Sequence, residues 1–225
     1  VRENLARLAA NIGEINGRLR RAAALAGREV KLVAVTKNVS PEIVRAAMAL
    51  GLTCLGENRV QEALPKLAAL PEAEWHFIGR LQTNKVKEVV GRFSLIHSLD
   101  RWRLALALQE QAEKLDLPVS VLIQVNVAGE EQKGGLSPAE LDDFLAEAVR
   151  LSHLRIEGLM TMPPYSPVPE DSRPYFRELN RLFLSCRVSG VRMRYLSMGM
   201  SGDFETAVEE GSNLVRIGSA LFEGV

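Results

Sequence analysis

Lys37 closes the apolar run Leu32-Val33-Ala34-Val35-Thr36, which makes it a candidate amine nucleophile. If that run is a buried strand, the ammonium lies at its C-terminal end. Desolvation there favours the free amine that Schiff-base formation with a carbonyl compound requires. A lysine ending a strand is by itself more often a surface residue, so Lys37 needs support from elsewhere. Two segments near the other end of the chain offer it: Ser197-Met198-Gly199-Met200-Ser201-Gly202-Asp203 and Arg216-Ile217-Gly218-Ser219. Small residues let main chain approach a ligand closely, and hydroxyls with helix-start amides suit a dianionic phosphate. Either segment alone could be a tight turn that needs glycine. Together they favour phosphate.

These residues need elements to hold them. Apolar runs occur at Lys31 to Thr36, Thr53 to Gly56, Trp75 to Ile78, Ser94 to His97, Val119 to Val127, Arg155 to Met160, Tyr195 to Met198 and Leu214 to Ile217. Helical patterns separate them, with starts readable at Ser40-Pro41, Asp100 and Ser137-Pro138. Strands buried on both faces within a repeated βα pattern predict a parallel sheet, and eight such units predict a single α/β (β/α)8 barrel of the TIM type. A doubly wound open sheet is the alternative. Leu5, Leu8, Ile12, Ile15 and Leu19 predict an amphipathic first helix ended by Gly27. With little chain after the eighth strand, that helix is expected to complete the helical ring. The Pro-rich stretch Met162 to Pro169 is expected to be a loop over the barrel mouth.

Barrel sites form at the C-terminal ends of strands, commonly with a phosphate held after strands seven and eight. Because strand eight neighbours strand one, Lys37 and the two small-residue segments would face one cavity. That leaves two chemistries: pyridoxal 5′-phosphate (PLP) held through its aldehyde, or a Schiff-base aldolase acting on a sugar phosphate.

The 225 residues suit one domain, and 28 basic against 28 acidic residues give a formal net charge of zero. No basic stripe points to nucleic acid, and no apolar run is long enough to span a bilayer. Two cysteines and the lack of a charged-then-apolar leader argue for a cytoplasmic protein without a disulfide framework.

The segments Lys31 to Lys37, Gly56-Glu57-Asn58-Arg59-Val60-Gln61-Glu62, Trp75 to Lys85, Gly158 to Met162, Leu196 to Ser201, Phe204 to Val208 and Val215 to Phe222 resemble, in order and over nearly the whole chain, the pyridoxal phosphate homeostasis protein family. The resemblance implies the barrel of the alanine racemase N-terminal domain and of eukaryotic ornithine decarboxylase, with residues 1–225 as one PLP-binding domain. It implies Lys37 as the Schiff-base lysine, Ser201, Gly218 and Ser219 as phosphate ligands, and Arg216 facing the pyridine nitrogen. Asn58 and His76 match family positions near the cofactor, and Lys133 matches a loop lysine. Two departures are visible: Asn38 stands where some members carry a second lysine, and Ser40-Pro41 replaces an earlier proline.

A guanidinium opposite the pyridine nitrogen disfavours protonating it and weakens the ring as an electron sink. Family relatives that racemise take their second acid–base group from an added domain, and Tyr165 is the nearest internal substitute here. The expected function is therefore intracellular PLP homeostasis without dedicated catalysis, ahead of a PLP-dependent amino-acid racemase and a Schiff-base aldolase. No catalytic or metal-ligating residue is assigned. The expected partners are PLP, amino acids and, transiently, PLP-accepting enzymes, with the chain acting as a monomer and neither nucleic acid nor membrane involved.

Overall fold

Short strands that are apolar on both faces must be covered on both faces, by other strands' side chains inside and by helices outside. The computed structural model describes residues 2–130, 134–191 and 193–225, and among them eight parallel strands close into a barrel in sequence order. The strands are β1 (Lys31–Val35), β2 (Cys54–Glu57), β3 (Glu74–Phe77), β4 (Leu95–Leu99), β5 (Val119–Gln124), β6 (Leu154–Met160), β7 (Tyr195–Ser197) and β8 (Leu214–Ile217). Around them run α1 (Arg2–Leu25), α2 (Pro41–Ala49), α3 (Val60–Ala69), α4 (Val86–Val89), α5 (Trp102–Leu115), α6 (Leu141–Ala148), α7 (Arg173–Ser185), α8 (Phe204–Glu209) and α9 (Ser219–Phe222). The closed barrel replaces the open-sheet alternative.

Closure is made by β8 pairing with β1 from Lys31↔Leu214 to Ala34↔Ile217. In this register the chain leaves the barrel at Lys37 and at Gly218-Ser219 on the same rim, from adjoining strands. Alternation along the strands divides the side chains. Val33, Cys54, Leu95, Leu122, Met160 and Leu214 cluster inside the barrel, while Ala34, Leu55, Trp75 and Val215 pack outward on the helices.

The first helix buries Leu8, Ile12, Ile15 and Leu19, and Gly27 ends it in the left-handed region at φ 61°. Leu5 is exposed, so the buried stripe starts one turn later than its spacing predicted. The little chain after β8 still forms a one-turn helix, α9. It is too short to cover the strand, and α1 packs on both α8 and α9. Arg18 of α1 grips Glu205 through two hydrogen bonds of 3.2 and 2.6 Å, and Asn11 donates to the Leu221 carbonyl at 3.2 Å.

Ser40 caps α2, accepting from the Ile43 amide. Asp100 caps nothing: the first turn of α5 begins after Arg101, and the Asp100 carboxylate is taken by the Arg101 guanidinium instead. Strand five stops at Gln124, before the predicted Val127, because Val125 and Asn126 turn to pair with Leu136.

Candidate functional site at the C-terminal rim

A cavity of about 480 Å³ opens at the C-terminal ends of the strands. Among its lining residues are Lys37, Asn58, Ser201, Arg216, Gly218 and Ser219, six of the seven residues singled out from the sequence. The loop after β6 lines it too, through Met162, Pro164, Tyr165 and Ser166, as expected for a segment over the mouth.

Lys37 is presented by a tight turn. The Thr36 amide donates to Gly56 at 3.0 Å, continuing the β1–β2 ladder, and the Val39 amide donates back to Thr36 at 3.0 Å. Asn38 completes the turn at φ 60°, a left-handed conformation that asparagine tolerates better than most residues. The Lys37 side chain is exposed, so the chain's own packing does not provide the desolvation expected for it.

Behind this turn lies a group the sequence reading missed. Lys66 of α3 donates to the Thr36 carbonyl at 2.6 Å and to Glu57 Oε1 at 2.7 Å, and the Thr36 hydroxyl reaches the same carboxylate oxygen at 2.7 Å. Glu57 and Lys66 are both buried. The available signal was Lys66 itself, a charged residue recurring with Val60 and Ala63 on the helix's buried face.

On the facing wall, Ser201 Oγ accepts from the Ala220 amide at 3.3 Å, joining the segments after β7 and β8. Gly218 keeps this approach close: a Cβ would lie 3.1 Å from Val35 Cβ and 3.2 Å from the Val35 carbonyl oxygen, tighter than ordinary contact. Gly79 is required across the rim, where a Cβ would fall 2.0 Å from the Asn58 carbonyl oxygen. Asn58 is half-buried, and its side-chain Oδ1 is buried without a hydrogen-bond partner.

Arg216 forms part of the cavity lining from deeper in the barrel, only 3% exposed. Its guanidinium donates to the Thr161 carbonyl at 2.9 Å and to the Ser197 hydroxyl. Burial pushes its pKa down to about 10, opposed by the charge of Asp203, so it remains a cation at neutral pH. Among the described residues it forms no ion pair: its hydrogen bonds go to a carbonyl and a hydroxyl, and the charge of Asp203 acts on it from beyond them.

His76 does not line this cavity. It sits inside the barrel, within 3.0 Å of both His97 and Glu74, and His97 lies 3.0 Å from Ser197. Burial pushes His97 well below its usual pKa and lowers His76 too, the latter against the opposing pull of Glu74, so both are neutral. Arg216 can only donate. The Glu74 carboxylate only accepts, so the chain runs from the Ser197 hydroxyl, which also accepts from Arg216, through His97 and His76 to Glu74. Lys133 lies outside the described residues.

The model for the alanine racemase N-terminal domain matches residues 4–224. The pyridoxal phosphate homeostasis protein of Aquifex aeolicus is 50% identical over 211 residues, covering 91% of this chain and 92% of the relative. Its counterpart in Pseudomonas aeruginosa is 42% identical over 221 residues, covering 96% and 94%. The solved structure of PipY from Synechococcus elongatus PCC7942, with PLP bound, superposes with a TM-score of 0.85 at 34% identity, covering 96% of this chain and 99% of that one. Alanine racemase from Corynebacterium glutamicum shares the fold at a TM-score of 0.77 and 18% identity, over 98% of this chain and 63% of that one.

Proposed function

Since this chain belongs to the pyridoxal phosphate homeostasis protein family, we propose that it holds PLP in the rim cavity and serves as a reservoir for it rather than as a dedicated catalyst. The observation that carries this reading is Arg216: a buried cation, in no ion pair among the described residues, lining the cavity that Lys37 also lines. A buried charge held only by a carbonyl and a hydroxyl is costly, and a pyridine nitrogen lone pair is a further acceptor for its remaining N–H groups.

In this reading Lys37 offers its amine to the cofactor's aldehyde from the turn fixed by Lys66. Ser201, Ser219 and the main chain at Gly218 receive the phosphate. The unpartnered Oδ1 of Asn58 is available to a donor on the ring or its substituents. When bound, PLP supplies an electron sink for carbanion chemistry, strongest when its ring nitrogen is protonated. Arg216 has no proton-accepting atom, so it holds its own protons towards that nitrogen and opposes protonation there. Tyr165 is 91% exposed on the rim, a poor position for a buried proton donor or acceptor.

His76 is assigned a supporting place beneath Arg216 rather than direct contact. Among the described residues no helix is long and apolar enough to cross a membrane. The same reading makes the chain a monomeric, single-domain cytoplasmic protein that exchanges PLP with amino acids and passes it to accepting enzymes. Visible-absorbance titration tests the reading, with saturable binding of one PLP per chain and much weaker binding of pyridoxal expected. Absence of saturable PLP binding would contradict it.

A further inference from the structure

At the end of the barrel away from the cavity, three ligating atoms converge: Cys54 Sγ, Glu74 Oε1 and His76 Nε2, all within 4.8 Å of one another. We propose that they form a site for a zinc-type divalent cation, with water as the fourth ligand.

The strand register builds the cluster. Cys54 and Glu74 are direct partners across β2 and β3, and His76 lies two residues beyond Glu74 on the same face. The partner of His76 is Gly56, which adds no side chain between them. The spacings fit a tetrahedral ion. Sγ lies 3.6 Å from Nε2, and Nε2 lies 3.0 Å from Oε1. Metal–sulfur bonds of about 2.3 Å and metal–nitrogen or metal–oxygen bonds of about 2.0 Å, at tetrahedral angles, require separations of about 3.5 and 3.3 Å. The third separation, from Sγ to the Glu74 carboxylate, lies within 4.8 Å and closes towards about 3.5 Å on binding.

The donor set is one thiol, whose proton passes to solvent water as the metal–sulfur bond forms, one imidazole and one carboxylate, which selects zinc or cobalt over magnesium or calcium. His76 is oriented from behind by His97, whose Nε2 lies 3.0 Å from His76 Nδ1, the outer-shell support typical of ligating histidines. Binding at Nε2 places the His76 proton on Nδ1, where it donates to His97. The reversed chain then ends at the Ser197 hydroxyl that Arg216 also holds. An ion on the barrel floor thereby fixes the tautomers beneath the rim cavity.

Lys31 is the competitor. Its ammonium lies 2.6 and 2.5 Å from the two Glu74 oxygens. Its side chain is about one-third exposed and can swing towards solvent, leaving Oε1 to the ion. Removing this cation is therefore expected to tighten binding, which an adventitious surface site would not show.

The test is titration of chelator-treated full-length protein with Co²⁺, followed by displacement with Zn²⁺, in the presence and absence of PLP. The expected result is one ion per chain with a near-ultraviolet thiolate charge-transfer band and tetrahedral visible bands. Cys54→Ser should abolish the charge-transfer band, Cys186→Ser should retain it, and His76→Gln should weaken binding at least tenfold. Circular dichroism checks each variant's fold. Lys31→Met, which leaves all three ligands in place, should tighten Zn²⁺ binding at least threefold. A missing thiolate band, a band that follows Cys186, or unchanged affinity in Lys31→Met overturns the proposal.

Discussion

The Lys66 ammonium lies 2.7 Å from Glu57 Oε1, and both residues are buried in the seam between β2 and α3. Through the Thr36 carbonyl, 2.6 Å from the same ammonium, this pair fixes the peptide that precedes Lys37. Truncating one partner leaves the other charge buried. We expect Lys66→Ala to cost about 3–5 kcal/mol of folding stability, read by urea denaturation. Glu57→Gln with Lys66→Met, which removes both charges, should recover part of that loss. A single Lys66→Ala variant as stable as wild type would contradict a buried pair.

Ser201 joins the two segments assigned to the phosphate, so its loss should be felt by the phosphorylated ligand alone. Ser201→Ala should weaken PLP binding by about 1.5–3 kcal/mol, the worth of a hydrogen bond to a charged group. Pyridoxal should bind as it does to wild type. Equal losses for both ligands in parallel titrations would remove Ser201 from the phosphate site.

Gly218 meets Val35 across the β8–β1 seam, and an added Cβ would lie 3.1 Å from Val35 Cβ. Gly218→Ala should cost about 1–3 kcal/mol in stability, as overpacking does, and should weaken PLP further by displacing the amides of the following turn. Denaturation and titration of the same sample check both. Wild-type affinity would show that this turn does not hold the ligand.

Arg216 decides whether bound PLP is idle or reactive. Wild type with added alanine should exchange the α-proton slowly with deuterium, as NMR would show. Arg216→Glu should exchange faster, because a carboxylate favours the protonated ring, provided PLP occupancy is matched. Exchange by wild type at about 1 per second or more, a rate expected of a working enzyme, would favour the racemase reading instead.

Six of the seven candidate residues line the rim cavity, and their place was legible because barrel strands deliver their C-terminal ends to one rim, which the apolar runs marked. Lys37, Ser201, Gly218 and Ser219 needed only that rule. His76 lies off the cavity lining, since position within a strand fixes which face a side chain takes, not how far from the rim it lies. It ends between His97 and Glu74, below the cavity. The Glu57–Lys66 pair was hidden for a different reason: its partners meet only when α3 packs on β2. Asp100 illustrates competition, since a capping residue type was claimed by the neighbouring Arg101.

The central claim is that one lysine at the end of β1 holds PLP through its aldehyde in a cavity floored by Arg216. It is tested most directly by reducing PLP-loaded protein with borohydride and mapping the modified peptide by mass spectrometry. The account predicts one reduced PLP per chain, on Lys37, and none in a folded Lys37→Ala variant. A borohydride-stable adduct on another lysine, or an adduct that persists in Lys37→Ala, would contradict it.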